Sequence, residues 1–159
     1  ESLMRELILL RHAHAEPAGN GQADLDRPLS SVGLAEAEAA GKWLKENKLL
    51  PDCVLCSPAR RTRETLEAVL GITGYAEQKL EDGVYEATPG ALFGLVSDRA
   101  DVERLLVVGH NPGLEQFVPF LTDGTSSDYR GMPPGGIAVL TFEGAIEPGA
   151  AKLTQFWWP

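Results

Sequence analysis

Short apolar runs alternate with longer amphipathic stretches along the chain. Leu7 to Leu10 is a continuous apolar run, the pattern of a strand buried on both faces. It ends abruptly on Arg11 and His12. Residues 32–47 are rich in Ala, Glu, Leu and Lys, with Leu34, Ala37 and Leu44 on one stripe. That spacing predicts a helix with Ser30 or Ser31 as its N-cap. Cys53 to Cys56 reads as a second short buried strand. Ser57-Pro58 then offers an N-cap followed by proline at the first helical position. The helix is expected from Pro58 to about Leu70, with Gly71 as its stop. Thr88-Pro89 opens another helix in the same way, running to about Ser97. Leu105 to Val108 is a third buried strand, and the turn Gly109-His110-Asn111-Pro112-Gly113 leads into a helix reaching about Leu121. Residues 123–136 lack either periodicity and read as a loop. Ile137 to Phe142 and Lys152 to Trp157 complete the pattern as two closing strands, with Trp157 and Trp158 as packing residues.

Alternating strands and helices predict an α/β fold, helices flanking a mixed, mostly parallel central sheet. The chain's 159 residues suffice for one domain, which at this size buries roughly 70% of its unfolded surface. Residues 4–159 are read as that domain, with Met4 as a natural start. The net charge of −9 argues against a nucleic-acid or anionic-membrane binder, which would carry a basic face. It leaves room for an anionic substrate in a cleft with local arginines. The two cysteines, Cys53 and Cys56, stand three apart, so in a strand they face opposite ways and cannot bridge. Free thiols suit a reducing cytoplasm, which is the expected location. No apolar run approaches the ~18 residues of a membrane span.

The three best strands each end in a polar cluster: Arg11-His12, Ser57 onward, and Gly109-His110. In open α/β sheets ligands bind at the carboxyl ends of strands, so these distant groups are expected to meet. Arginine forks match phosphate oxygens in pairs. Arg11 and one or both of Arg60 and Arg61 supply them. Neutral imidazole, with an ordinary pKa of about 6.5, is a competent nucleophile near neutral pH. The helix start at Ser57-Pro58 adds N–H groups that favour an anion. Such a set would bind a phosphoryl group and hold a histidine in line to attack it.

Together these motifs resemble the histidine phosphatase superfamily: RHA after one strand, SPARRTRET after another, VVGHNPGL after a third. LILLRHAHAEP, DLDRPLSSVG and GVYEATP resemble, more closely, the small SixA-type phosphohistidine phosphatases. The resemblance runs from about Leu7 to about Phe142. It implies a phosphoglycerate mutase-like three-layer sandwich and chemistry without metal or cofactor. It implies that His12 is the nucleophile, forming a phosphohistidine intermediate that water hydrolyses, and that Arg11 binds the phosphoryl group. It selects Arg61 as the second arginine and gives His110 a contact with the phosphoryl oxygens. The implied substrate is a phosphohistidine on a partner protein, with small phosphate esters second. Ala13 replaces the glycine many members carry, and Ala18 stands where larger members place asparagine.

The general acid is sought at Asp82 or Glu86, with Glu86 slightly preferred of the two, although its plainer reading as a carboxylate at a helix start comes first. Asp26-Arg27-Pro28 reads as a turn, Arg60 and Arg63 as a solvated helix face, and His14 as a loop residue near the rim of the cleft. Three rival readings are weaker. His12-x-His14 could be half of a metal site, but only His110 is left to extend it. Cys56 precedes arginines, but the residue six places on is Thr62, so a Cys-x5-Arg phosphatase motif is out of register. A non-catalytic module that merely binds phosphate would need fewer of these groups.

Overall fold

The computed structural model describes residues 4–125 and 131–159. Residues 1–3, which precede the expected start at Met4, and residues 126–130 of the expected loop lie outside the described residues. Among the described residues six strands form one sheet: β1 (Glu6–Arg11), β2 (Cys53–Cys56), β3 (Glu77–Leu80), β4 (Arg104–Gly109), β5 (Ile137–Thr141) and β6 (Lys152–Trp157). Their order is β3-β2-β4-β1-β5-β6. The first four are parallel, with β4 pairing β1 from Glu6↔Arg104 to Arg11↔Gly109 and β2 from Cys53↔Leu105 to Cys56↔Val108. β5 runs antiparallel to β1, and β6 antiparallel to β5. The sheet is therefore mixed and mostly parallel.

Strand alternation divides the core in two. Leu7, Leu9, Leu105 and Val107 face α3 (Pro89–Ser97) and α4 (Gly113–Asp123), where Leu92, Val96, Leu114 and Phe117 cover them. Ile8, Leu10, Leu106 and Val108 face α1 (Ser31–Glu46) and α2 (Arg60–Thr73), against Ala40, Leu44, Leu66 and Val69. Cys53 lies in the first cluster and Cys56 in the second, so the thiols do face opposite ways, and both are free. Each fully buried aliphatic side chain contributes roughly 1.5–3 kcal/mol. That favours a central place for β1 and β4, whose apolar residues are buried on both faces.

Several boundaries differ from the sequence expectation. Ser30 caps α1 by accepting from Gly33 N at 3.0 Å, but Leu34 is 49% exposed. The buried stripe is Gly33, Ala37, Ala40, Gly41 and Leu44, since small residues let α1 approach α2 closely. α2 begins at Arg60 rather than Pro58, passes through Gly71 and ends at Gly74, which has φ 97°. The helix-stopping conformation belongs to Gly74. β3 is an addition to the expected strands: its sequence, Glu-Gln-Lys-Leu, is exposed throughout, as suits an edge strand with one paired side. α4 runs two residues beyond Leu121 and holds Pro119 within it. Trp157 stacks on Trp43 at 5.5 Å.

Candidate active site

The end of β1 stays tied to the chain on both sides. His12 N donates to Gly109 O at 3.0 Å and Arg11 N to Gly136 O at 3.0 Å. The His12 loop is also tied to α2: Ala13 N donates to Thr65 Oγ1, which donates to Arg61 O. Gly33 matters here, since a Cβ on it would sit 1.9 Å from His14 O. α1 therefore backs directly onto the turn that follows His12.

The His12 ring has one fixed tautomer. Its Nδ1 lies 2.7 Å from Ala13 O. A carbonyl can only accept, so Nδ1 carries the proton and Nε2 carries the free lone pair. His110, at the end of β4, has its ring centroid 5.2 Å from that of His12. Its Nε2 lies 2.8 Å from Ser57 Oγ, at the end of β2. Ser57 also accepts from Ala59 N, so it serves the site as well as the chain entering α2.

The two arginines are held differently. Arg11 Nη1 donates to Met132 O at 2.8 Å, a carbonyl that Asn111 Nδ2 also bonds at 2.9 Å. Arg61 is 6% exposed, with Nη1 on Asp24 O at 2.8 Å and Nη2 on Asp24 Oδ2 at 2.9 Å. Arg11, His12, Arg61, Glu86 and His110 line one cleft of about 570 Å³. Arg11 Nε, Arg61 Nε and His110 Nδ1 are buried and have no hydrogen-bond partner.

Burial and positive neighbours set the charge of the cleft. The His12 pKa falls to about 4, chiefly because burial penalises the cation, with Arg61 and then Arg11 adding repulsion. The bond to Ala13 opposes this. Burial, then His12 and Arg61, take His110 down to about 3. Both imidazoles are neutral at pH 7. The Asp24 carboxyl is held well below the usual range, first by the Tyr85 hydroxyl and then, against a smaller desolvation effect, by Arg61 and Arg27.

Other sequence candidates fall outside. Arg60 pairs with Glu64, and Arg63 bonds Pro58 O, both exposed. His14 is not at the cleft: its Nδ1 lies 2.7 Å from Ser30 Oγ, at the start of α1. The alternation that would have pointed His12 and His14 alike fails because β1 has already ended. Among the described residues, no three His, Cys, Asp or Glu side chains group around a metal-sized position. Asp82 is itself exposed, at the start of a short turn whose Val84 is buried, and does not line the cleft.

Three cleft residues escaped the sequence reading: Asp24, Arg27 and Tyr85. Asp24 Oδ2 accepts from Tyr85 OH at 2.6 Å, and Oδ1 accepts from Arg27 Nη1 at 3.2 Å. The stretches that contain them, DLDRP and GVYEATP, carried a resemblance but no chemistry of their own.

Two arginines and two neutral histidines gathered where the parallel strands of a mixed sheet end give this α/β protein a cleft whose positive charge suits an anion. Residues 7–105 match the family model described as the histidine phosphatase superfamily, branch 1, and the chain belongs to that superfamily. An uncharacterized protein of Mycobacterium tuberculosis is 38% identical over 161 residues, covering 94% of this chain and 99% of that one. Phosphohistidine phosphatase SixA of Escherichia coli is 32% identical over 128 residues, 75% of each chain. A solved structure from Agrobacterium tumefaciens, named for SixA, superposes with a TM-score of 0.86 at 29% identity, covering 98% of this chain and 99% of that one. The chain is SixA-like in sequence and fold, and these findings support phosphatase activity. Among the described residues, no helix is long and apolar enough to cross a membrane.

Proposed function

We propose that the chain removes phosphoryl groups from phosphohistidine on a partner protein, through a covalent intermediate on His12. The observation that carries this reading is the His12 ring: Nδ1 committed to Ala13 O, Nε2 free, and the imidazole neutral at pH 7 between two arginines. In the first step the Nε2 lone pair attacks phosphorus, the bond from phosphorus to the substrate nitrogen breaks, and that nitrogen keeps the bonding pair and takes a proton. In the second step water attacks phosphorus, the bond from phosphorus to His12 Nε2 breaks with its electron pair returning to the ring, and inorganic phosphate leaves with the water oxygen as the water gives up a proton. Arg11, Arg61 and His110 hold the phosphoryl oxygens, whose negative charge the two guanidinium groups suit. Glu86, exposed at the cleft, delivers the proton to the leaving group. A leaving imidazole needs less help than an alkoxide, so Glu86 matters more for esters than for phosphohistidine.

The proposed unit is a single domain of residues 4–159, acting in the cytoplasm without metal or cofactor. The partner is a protein, with no role for nucleic acid or membrane, in keeping with the net charge of −9. The test is a phosphohistidine protein carrying labelled phosphate. Transient, acid-labile label on His12 is expected, together with loss of turnover in His12→Ala. A His12→Ala protein of full activity would overturn the nucleophile. A strong preference for sugar phosphates over the phosphoprotein would overturn the substrate.

A further inference from the structure

Asp24 is an odd group to find in a cleft for an anion. It is a carboxylate, negative at any working pH, and it lines the same cavity as the two arginines. It belongs to no strand or long helix: it opens a three-residue turn at Asp24–Asp26. Its side chain is 48% exposed while that of Arg61 is 7% exposed, so the pair keeps a buried guanidinium from standing uncompensated, and its geometry does more than that.

Its bonding does suggest a purpose. Arg61 reaches the cleft from the first turn of α2 on a long, flexible stem. Left alone, its guanidinium could rotate and tilt. Asp24 grips both terminal nitrogens, Nη2 through the carboxylate at 2.9 Å and Nη1 through the backbone carbonyl at 2.8 Å. Two anchors from one residue fix the plane as well as the position of the fork. The remaining N–H groups, Nε among them, are left over, and Nε is buried without a partner. The same carboxylate collects Arg27 and the Tyr85 hydroxyl. Arg27 is itself pinned by a bond from Nε to Glu16 O at 2.8 Å. One side chain therefore organises groups from the 16–27 segment, α2 and the Tyr85 turn around the cleft.

We infer that Asp24 is a positioning residue that holds the Arg61 fork, and Arg27 beside it, in the orientation phosphoryl transfer requires. The inference rests on the proposed reading of the cleft. Asp24 acts through the arginines and touches no reacting atom. The bonds from Tyr85, Arg61 and Arg27 draw off its charge, so it orders the cations at little cost to anion binding. Preorganised donors act mainly on the transition state. Loss of Asp24 is therefore felt in kcat, while ground-state binding changes little.

The test is a double-mutant cycle with a phosphohistidine protein as substrate. Asp24→Ala is expected to lower kcat about 10- to 100-fold, the range for loss of an orienting partner, with KM and inhibition by inorganic phosphate changed less than about 3-fold and inhibition by the transition-state mimic orthovanadate weakened in step with kcat. In an Arg61→Ala background the same change should cost less than about 3-fold, because the residue it orients is gone. Full independence of the two losses would overturn the inference, as would wild-type kcat in Asp24→Ala. Asp24→Asn keeps an acceptor oxygen and is expected to retain intermediate kcat. If Asp24→Ala fails to fold, Asp24→Asn carries the same cycle with the same criteria. Wild-type protein that turns over no phosphorylated compound would instead bring down the reading of the site, and this inference with it.

Discussion

Arg11 and Arg61 line the same cleft, but the molecule holds them by different means. Arg11 ends β1 and leans on a neutral backbone carbonyl, Met132 O, shared with Asn111. Arg61 rises from α2 and is clamped by a carboxylate and a carbonyl of one residue, Asp24. The first arrangement is set by the sheet: a paired strand delivers Arg11 and His12 beside Gly109 whatever the charges do. The second depends on charge, because the 16–27 segment that carries Asp24 has little framework of its own. Half of the site is positioned by architecture and half by electrostatics.

The sharpest way to break this contrast is to replace each arginine with lysine. An ammonium is a point charge that cannot fork across two phosphoryl oxygens. Losing one oriented donor to a developing charge typically costs about 100- to 1000-fold, and both variants are expected to fall in that range of kcat/KM. Arg61→Lys should lose more. Its ammonium stays in direct contact with the Asp24 carboxylate, whereas a lysine at position 11 has a neutral carbonyl as its hydrogen-bond partner, Glu115 and Glu36 acting on it through space alone. Steady-state rates on one phosphohistidine protein decide it, and equal losses would erase the distinction between the two clamps.

A second contrast is in pH. His12 and His110 have pKa values of about 4 and about 3 in the folded protein, against about 6.5 when unfolded. Below about 6.5 the unfolded chain binds protons that the folded site refuses, so stability is lost as pH falls. The loss grows down to about 4 for His12 and about 3 for His110. Melting temperature should therefore drop steadily from pH 7 to pH 4. Arg61 presses on both rings harder than Arg11 does. Arg61→Gln should accordingly flatten the slope more than Arg11→Gln. Thermal unfolding followed by circular dichroism across that range reads the slopes, and a melting temperature flat from pH 7 to 4 would refute the assignment of both imidazoles as buried and neutral.

The same division explains which residues are legible in the sequence alone. Those placed by strand ends are legible, because apolar runs announce β1, β2 and β4, and the carboxyl edge of a parallel sheet gathers the residues just beyond each run. Arg11, His12, Ser57 and His110 are all found that way. Arg61 needs a family likeness, since a helix start alone does not choose between Arg60 and Arg61. Asp24, Arg27 and Tyr85 stay hidden. Their place depends on a 16–27 segment with no periodicity and on bonds between side chains more than thirty residues apart, such as Arg61 to Asp24. β3 is missed for a related reason: an exposed edge strand has no apolar face to show.

Gly71 separates helix stability from arginine placement. Its residue type points to the end of α2, yet it lies inside the helix, exposed, and a Cβ there would meet nothing within 4 Å. Alanine at an exposed helical position is preferred over glycine by about 0.8–1 kcal/mol. Gly71→Ala should therefore raise the melting temperature by about 2–4 °C for a chain of this size. Arg61 sits at the other end of the same helix. If the stiffness of α2 set the guanidinium, the stabilised variant would change kcat. If Asp24 sets it, kcat stays at the wild-type value while the melting temperature climbs. A rise in stability accompanied by altered turnover would move the control of Arg61 from the clamp to the helix, and the contrast between the two arginines would have to be redrawn.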